Sequence, residues 1–393
     1  MTSLLWNSRK NRMRARLARN PLALALVQRV KCLFGRNHDV WYEPGHEAEF
    51  CQLMDTHGVF PARGHRLRNR ICVMAAKGTA TYEAAGQAAS HFQGTVDLLD
   101  PLSDDWSFAD LRRRYDGLLY RNMITTNLQR TISNEHIEAF RLSGLPVWPN
   151  RVENYLYEAK RQTAHFCQIH AIPHPPTQVV YTLAAALQHA RTRVYPCILK
   201  TNLGASSSGV FLVSTAGEAV KAVNYIFRKG LVRRGAAWQE VDTGYVIFQD
   251  FIPNVREYRI IQIGESWFGH EKKGAEGSLF YSGSGEKSWD IPPSAAFDFC
   301  HAISAAHGIQ VMSYDVFQDA SGRLLLNEAQ TWFGSYNVSQ MYKDGVPGRM
   351  IVRNASWVFE PGCFNYQRSM NLRLSTFDEY ITEQKGFAKK RDE

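Results

Sequence analysis

The sequence lacks several features that would assign the chain to a common class of protein. No apolar run approaches the roughly 20 residues that a membrane-spanning helix needs. No Cys-x-x-Cys pair, phosphate-loop motif of the GxxxxGK[ST] type, internal repeat or low-complexity segment is present. The seven cysteines are scattered and odd in number, which favours reduced thiols in a cytoplasm over a disulfide framework or a zinc site.

Acidic residues are absent from the first 36 positions, which contain nine Lys and Arg. Taking these nine from the 46 basic residues leaves 37 against 37 acidic residues, so the net charge of +9 belongs to one arm. The neutral body argues against a nucleic-acid-binding protein. Leu26, Val27, Val30 and Phe34 recur at helical spacing. The arm, residues 1–38, would therefore contact an anionic membrane surface, form a dimer, or pack on the body as an ordinary helix.

Residues 39–149 are expected to form a small α/β domain. Short apolar strands are predicted over Ile71–Ala76, Tyr115–Arg121 and Gly144–Pro149, with a helix over Phe108–Arg114. Strands that alternate with helices are typical of a parallel sheet.

The pattern changes beyond residue 150. A helix is predicted over Glu153–His170, followed by a strand, a second helix and a strand over Tyr195–Lys200. A loop rich in Gly and Ser then leads into a long alternation of strands that ends in a hairpin. Residues 366–393 are expected to be a C-terminal tail, helical at most. The fold class predicted for the whole chain is α/β (α+β).

Lys200 ends a buried strand and precedes the Gly/Ser loop Gly204–Gly209. A lysine supplies a point charge, and small residues let backbone N–H groups approach phosphate oxygens. This pattern suits a polyphosphate site. The alternative is a surface hairpin that happens to follow a lysine.

Two strand segments further along the chain suit the same ligand. Val246–Asn254 is an apolar strand that runs into proline, and its backbone could hydrogen-bond an adenine edge; the alternative is an ordinary strand end. Residues 257–273 read as a hairpin. Alternation places Glu257 and Arg259 on one face, and Lys273 closes the second strand. Arg259 and Lys273 would neutralise phosphate charge. The alternative is that they are solvated charges at the rim of the sheet.

The most specific motif is a hairpin around the turn Asp319–Gly322. A symmetric turn places Asp315 opposite Leu326. Because residues two apart on a strand point the same way, Asp315 then shares a face with Glu328 and Gln330. Carboxylate and amide oxygens are ligands that Mg²⁺ prefers. Both strands are otherwise apolar, and buried unpaired acids are costly, so a magnesium site is favoured over acids exposed on a hairpin.

In this order, over residues 115–340, the four elements resemble the ATP-grasp superfamily. They look most like the amino-acid ligases that add glutamate to ribosomal proteins, and more distantly like glutathione synthetase and D-alanine–D-alanine ligase. The resemblance implies an ATP-grasp domain over residues 150–365. A small lobe at about 172–250 and a large lobe at about 251–365 would clamp ATP, preceded by the α/β domain of residues 39–149.

The resemblance also implies roles for individual side chains. The nucleotide would be held by Lys160, Lys200, Gly204, Ser206, Ser207, Ser208, Gly209, Gln249, Asp250, Ile252 and Glu257. Arg259 and Lys273 match the cations of the transfer site, where chemistry occurs. Asp315, Glu328 and Gln330 match three metal ligands, of which the third is usually the shorter Asn.

The activity that the resemblance implies is ATP-dependent formation of an amide bond through an acyl phosphate, with release of ADP and phosphate. ATP and Mg²⁺ would be the cofactors, with two metal ions and Mn²⁺ as a substitute. The partners would be a carboxylate and an amine, from an amino acid, a peptide or a sugar acid, and no nucleic acid. Two alternatives stay open, a phosphotransferase on the same scaffold and a nucleotide-binding protein without catalysis.

Overall fold

The computed structural model describes six ranges of the chain, namely residues 47–124, 126–203, 209–231, 241–273, 287–335 and 337–392. The basic arm lies outside these ranges, and so do four residues that were assigned to the nucleotide, Gly204, Ser206, Ser207 and Ser208. No helix in the described ranges has the length and apolar character that crossing a membrane requires.

The elements follow one another in chain order. The first group is α1 (Glu47–His57), β1 (His65–Arg66), β2 (Ile71–Met74), α2 (Ala80–Ala89), β3 (Phe92–Gln93), β4 (Val96–Leu99), α3 (Phe108–Arg114), β5 (Gly117–Tyr120), α4 (Asn127–Leu142) and β6 (Val147–Trp148). The second group is α5 (Arg151–Leu156), α6 (Lys160–Ile169), β7 (Thr177–Val180), α7 (Leu183–Thr192), β8 (Cys197–Lys200), β9 (Val210–Val213), α8 (Ala216–Lys229) and β10 (Val246–Asp250). The third group is β11 (Arg256–Ile263), β12 (Ser266–Lys272), β13 (Lys287–Ser288), α9 (Ser294–His307), β14 (Val311–Gln318), β15 (Leu324–Gln330), β16 (Tyr342–Lys343), β17 (Val346–Arg353), β18 (Ser356–Pro361), a 3-10 turn (Tyr366–Ser369) and α10 (Met370–Asp392).

The first group forms a four-stranded sheet in the order β4-β2-β5-β6, and every pair in it is parallel. Strands β2 and β5 are buried along their whole length, as expected where helices cover both faces of a parallel sheet. The predicted parallel sheet is therefore present, with strands shorter than the apolar runs that suggested them.

Two antiparallel sheets follow. The small sheet has the order β7-β10-β8-β9, and α7 and α8 pack on it with a core of their own that includes Ala186, Leu199 and Val223. The large sheet has eight strands, with β15-β14-β11-β12-β17-β16 in sequence and β13 and β18 paired at its side. A single core joins the large sheet to the parallel sheet.

The helix predicted over Glu153–His170 is two helices. It breaks after α5, where Tyr157 is extended with ψ of 116° and Glu158 is left-handed with φ of 50°, a conformation that is uncommon for a residue with a side chain. Helix α6 then starts at Lys160, whose backbone N–H donates to the backbone oxygen of Asn202 at 3.0 Å. The break places Glu158 and Lys160 beside the end of β8.

The C-terminal segment is a helix that belongs to the core. Phe377 and Ile381 of α10 are fully buried. They lie so close to Gly117 of β5 that a Cβ there would meet Ile381 at 2.5 Å. Asp378 of the same helix accepts hydrogen bonds from the backbone nitrogens of Arg68 (2.9 Å) and Asn69 (2.8 Å). Helix α10 thereby ties the parallel sheet to the rest of the chain.

We predict that Asp378→Ala lowers stability by about 3 kcal/mol, because a buried donor left without its acceptor costs about 1–3 kcal/mol. Urea unfolding followed by tryptophan fluorescence measures the change. Glu383→Ala is the matched control, since this acid is on the exposed side of the same helix and its loss should cost less than about 0.5 kcal/mol. Equal midpoints for the two variants would contradict the prediction.

Candidate active site

Two of the predicted site residues, Lys160 and Lys200, lie where the small sheet faces strand β15 of the large sheet. Lys200, at the end of β8, is buried, and its Nζ donates to Oδ1 of Asn327 at 3.0 Å. Lys160, the first residue of α6, is also buried and places its Nζ 3.5 Å from Oε1 of Glu328. Two cations from separate elements therefore meet neighbouring residues of one strand.

Burial lowers the pKa of Lys200 to about 8, because the charged form of an amine is poorly solvated inside a protein. Glu328 opposes this shift, and the like charge of Lys160 adds to it. An anion bound between the two lysines would offset their repulsion.

Four charged side chains form a buried group on one face of the large sheet, here named the charge cluster: Glu257, Arg259, Lys272 and Asp315. Arg259 and Asp315 are cross-strand partners and form a two-pronged ion pair, with Nε–Oδ1 at 2.8 Å and Nη2–Oδ2 at 2.9 Å. Lys272 bridges the two acids, with Nζ 2.6 Å from Glu257 and 2.6 Å from Asp315. Buried charges of this kind are tolerated when each is paired.

The two acids of the charge cluster respond differently to their surroundings. Burial alone would raise the pKa of Asp315, but Arg259 and Lys272 more than offset that effect and the pKa lies below its ordinary value. Burial raises the pKa of Glu257, and the carboxylate of Asp315 adds to the shift although Lys272 opposes it. The pKa values of the two acids are therefore shifted in opposite directions.

His270 is the cross-strand neighbour of Arg259 on β12 and is almost fully buried. Neither ring nitrogen has a hydrogen-bond partner among the described residues. Burial lowers its pKa well below the ordinary value, and the cations of Arg259 and Lys272 act in the same direction. The imidazole is therefore a neutral surface against which Trp289 packs, with ring centroids 4.7 Å apart.

The three predicted metal ligands lie together, but the register of their hairpin differs from the prediction. A β-bulge follows Asp315, so that Asp315 pairs with Glu328 and not with Leu326. The extra residue at the bulge is Asn327 on β15. Asp315 and Glu328 still share a face, as predicted.

Gln330 makes a different contact from the one expected of a metal ligand. With its amide oxygen turned toward Arg259, it accepts from Nη2 at 3.3 Å and donates to Oε1 of Glu158 at 3.2 Å. Among the described residues, no three His, Cys, Asp or Glu side chains are arranged to hold a metal ion. The predicted ligands are two carboxylates and one amide. They are therefore not a group of three His, Cys, Asp or Glu side chains.

The predicted hinge residues end strand β10 of the small sheet. Gln249 is buried and donates from Nε2 to Oγ1 of Thr177 at 2.9 Å, while Asp250 pairs with Arg193. Ile252 follows in the turn and is half-buried. The hinge strand is thus ordered by polar contacts on both sides.

Gly209 closes the root of the Gly/Ser loop. A Cβ at this position would meet Oγ1 of Thr201 at 1.7 Å, and the Gly209 oxygen accepts from the Thr201 backbone nitrogen at 2.9 Å. Only glycine allows this close approach.

Sequence reasoning missed three residues of this site, namely Lys272, Asn327 and Glu158. Strand β12 ends at Lys272, one residue earlier than predicted, and Lys273 is exposed. Strand alternation could have identified Lys272 as the partner of Glu257. No sequence signal marks Asn327, which depends on the bulge, or Glu158, which depends on the break before α6.

No protein-family model matches the sequence, and neither does any curated protein. Solved structures do match its fold. D-cycloserine synthetase superposes with a TM-score of 0.50 at 15% identity, covering 79% of this chain and 99% of that one. The biotin carboxylase domain of 2-oxoglutarate carboxylase from Hydrogenobacter thermophilus gives a TM-score of 0.50 at 12% identity, covering 69% and 65%. The chain has the ATP-grasp fold.

This result confirms the fold that the sequence motifs predicted. An ATP-grasp protein with a RimK domain from Sphaerobacter thermophilus also matches, with a TM-score of 0.47 at 16% identity over 66% of this chain and 90% of that one. At 12–16% identity the likeness is one of fold. The reaction has to be argued from the residues of the site.

We predict that Lys272→Met lowers the free energy of unfolding by about 3–5 kcal/mol, because it leaves Glu257 and Asp315 buried with less compensation. The neighbouring Lys273→Met is the matched control. Its side chain is exposed, and we expect a change within about 0.5 kcal/mol. Urea denaturation of both variants tests this, and an equally large loss in Lys273→Met would contradict the assignment of Lys272 to the charge cluster.

Proposed function

We propose that this chain is an ATP-dependent ligase that activates a carboxylate as an acyl phosphate and transfers the acyl group to an amine. The observation that carries the proposal is the convergence of Lys160 and Lys200 on Glu328 and Asn327. Two buried cations facing a carboxylate and an amide oxygen suit a polyphosphate with its counter-ion. The charge cluster lies beside these residues, and its charged groups support chemistry at the phosphate end of the nucleotide.

We propose that the small sheet moves away from β15 when the nucleotide enters. The gap lined by Lys160, Lys200, Gln249 and Leu326 measures about 10 Å³, whereas pockets for small ligands measure about 300–1,000 Å³. Opening would break the contact between Lys200 and Asn327 and leave the lysine to bind a phosphate. Gln249, Asp250, Ile252 and Glu257 are proposed to line the adenosine end.

The donor atoms at the phosphate end fit a magnesium ion. Glu328 is one-quarter exposed, and Asp315 faces it across the strand pair. Asp315 accepts three close contacts of the about four that a carboxylate can accept, which leaves one position for a cation. We propose Glu328 and Asp315 as the ligands, with Gln330 as the third after its oxygen turns from Arg259. Bound there, Mg²⁺ would neutralise phosphate charge.

The proposed reaction has two steps. A carboxylate oxygen of the substrate attacks the γ-phosphorus, ADP leaves, and Lys160 and Lys200 hold the charged oxygens in line. The amine then attacks the carbonyl carbon of the acyl phosphate, and phosphate leaves with that oxygen while the amine loses a proton. Arg259, held rigidly by Asp315, is proposed to stabilise the oxyanion. Lys273 is proposed as a further cation at the rim.

Isotope transfer tests this reaction directly. Candidate carboxylates labelled with ¹⁸O are incubated in panels with ATP, Mg²⁺ and amines, and products are read by mass spectrometry. We expect an amide product and one labelled oxygen in the released phosphate, because the attacking oxygen departs with phosphorus. A stable phosphorylated product would assign a phosphotransferase instead, and an amide with unlabelled phosphate would exclude the acyl phosphate.

We predict that Glu328→Gln reduces turnover by about 10²–10³-fold, the size of the effect of removing one oxyanion-hole donor from an active site. The unfolding midpoint should stay near that of the wild type, since Glu328 lies partly exposed. Gln330→Asn should keep most of the activity because it retains an amide oxygen. Wild-type turnover in Glu328→Gln would show that the metal assignment is wrong.

We predict that Lys200→Ala weakens ADP binding about 10–100-fold, since a hydrogen bond to a charged group contributes about 1.5–3 kcal/mol. Isothermal titration calorimetry measures the affinity. Lys221→Ala is the control, because Lys221 is an exposed lysine on α8, also beside the small sheet. Equal affinities for the two variants would remove Lys200 from the nucleotide site.

A further inference from the structure

A second cavity, of about 380 Å³, lies between α4 beside the parallel sheet and α6 beside the small sheet. Its volume is in the range of pockets for small ligands. The described residues that line it are mostly polar, and none of them is acidic. Side chains that line it include Asn127, Arg130, Asn134, Arg161, Gln162 and Asn202. We name it the arginine cleft.

Helix α6 separates the arginine cleft from the nucleotide gap. Lys160, Thr163 and Cys167 line the nucleotide gap, whereas Arg161 and Gln162 line the arginine cleft. Residues three and four apart share a face of a helix, so these two sets point to different sides. Among the described residues, none lines both cavities, so the arginine cleft is a second cavity on the other side of α6.

Neither arginine of the cleft forms an ion pair with a carboxylate in the described part of the chain. Arg130 donates from Nη2 to the backbone oxygen of Tyr157 at 2.7 Å. Its Nη1 is buried and makes no hydrogen bond to the described residues. Arg161 stacks its guanidinium over the ring of Tyr245, 4.3 Å from the ring centroid. A buried, unsatisfied guanidinium nitrogen is costly unless something accepts from it.

The two arginines also repel each other. The pKa of Arg130 is lowered by burial and, to a smaller extent, by the charge of Arg161; Glu158 opposes the shift. Glu158 directs its carboxylate to Gln330, at 3.2 Å, and does not line the cleft. A ligand with negative charge would offset the repulsion.

We propose that the arginine cleft binds a phosphoryl group, with Arg130 and Arg161 as its charged donors and the neighbouring asparagine amides as neutral donors. Arginine is suited to this role because its planar fork of N–H groups matches phosphate geometry. The phosphoryl group would come either from free phosphate or from a phosphorylated small molecule. The inference does not depend on the proposed ligase reaction.

Calorimetric titration with inorganic phosphate at constant ionic strength tests the proposal on the full chain. Phosphate should bind the wild type saturably, and Arg161→Gln should weaken binding by about 10-fold or more, the value of one charge-assisted hydrogen bond. Arg130→Gln should do the same and serves if Arg161→Gln does not fold. Arg191→Gln, an exposed arginine at the end of α7, is the matched control and should bind like the wild type.

Lys200→Ala distinguishes the cleft from the nucleotide gap. We expect Arg161→Gln to weaken phosphate binding in the Lys200→Ala background as well, while Arg161→Gln alone keeps its affinity for ADP. Phosphate binding that survives in Arg161→Gln and Arg130→Gln but is lost in Lys200→Ala would overturn the proposal. If ADP binds none of the proteins, the proposed function is wrong. The phosphate titrations then decide the proposal for the arginine cleft by themselves.

Glycerol phosphate identifies the source of the phosphoryl group. Tighter binding of the ester than of inorganic phosphate, again lost in Arg161→Gln, would assign the cleft to a phosphorylated molecule. Equal or weaker binding of the ester would assign it to free phosphate. An absence of saturable binding for both compounds in the wild type would refute the proposal.

Discussion

The need to pair buried charges is the constraint on which the large sheet depends. Glu257, Arg259, Lys272 and Asp315 come from three neighbouring strands, and none is exposed enough for water to solvate it well. The free energy of removing such charges from water is recovered only when every partner is in place. Strand pairing by one residue more or less would turn each of them to the opposite face. The charge cluster therefore specifies one register for β11, β12 and β14.

The same constraint explains why the site faces the small sheet. Asp315 is paired with Arg259 and Lys272 of its own sheet, so the less buried Glu328 is left to meet Lys160, and Asn327 to meet Lys200. The bulge allows Glu328 and Asn327 to meet different lysines, because it removes Asn327 from the regular alternation of the strand. Charged groups inside the large sheet are thus paired with one another. The polar groups at its edge are paired with Lys160 and Lys200, and a ligand can replace those contacts.

Much of the fold could be predicted from alternation and turn residues alone. The apolar strands, the hairpin at Asp319–Gly322 and the lysine at the end of β8 all appear close to where local pattern placed them, since each depends on neighbours in sequence. The bulge at Asp315 was not predictable, because nothing in the sequence around it distinguishes a bulge from a regular strand pair. The left-handed Glu158 and the early end of β12 likewise have no mark in the local sequence pattern.

The C-terminal segment shows more clearly what local sequence pattern cannot predict. Residues 366–393 carry little periodic signal, yet Phe377 and Ile381 lie in the core. Their burial is explained by Gly117, about 260 residues earlier, whose missing side chain makes room for them. Site residues were easier to identify than such packing, because phosphate and metal chemistry restricts residue type and spacing. What each of those residues does remains a prediction from resemblance and geometry.

The separation of the hydrophobic cores has a consequence for cooperativity. One face of the parallel sheet, the large sheet and α10 share one core, and the other face of the parallel sheet packs on α3 and α4. The small sheet and its two helices have a core of their own. Heating would therefore disrupt the shared core as one calorimetric unit, and the small sheet would melt as a second unit with its own enthalpy. A nucleotide that touches both units would draw their melting transitions together, so that occupancy of the site becomes visible as the merging of two heat-absorption peaks.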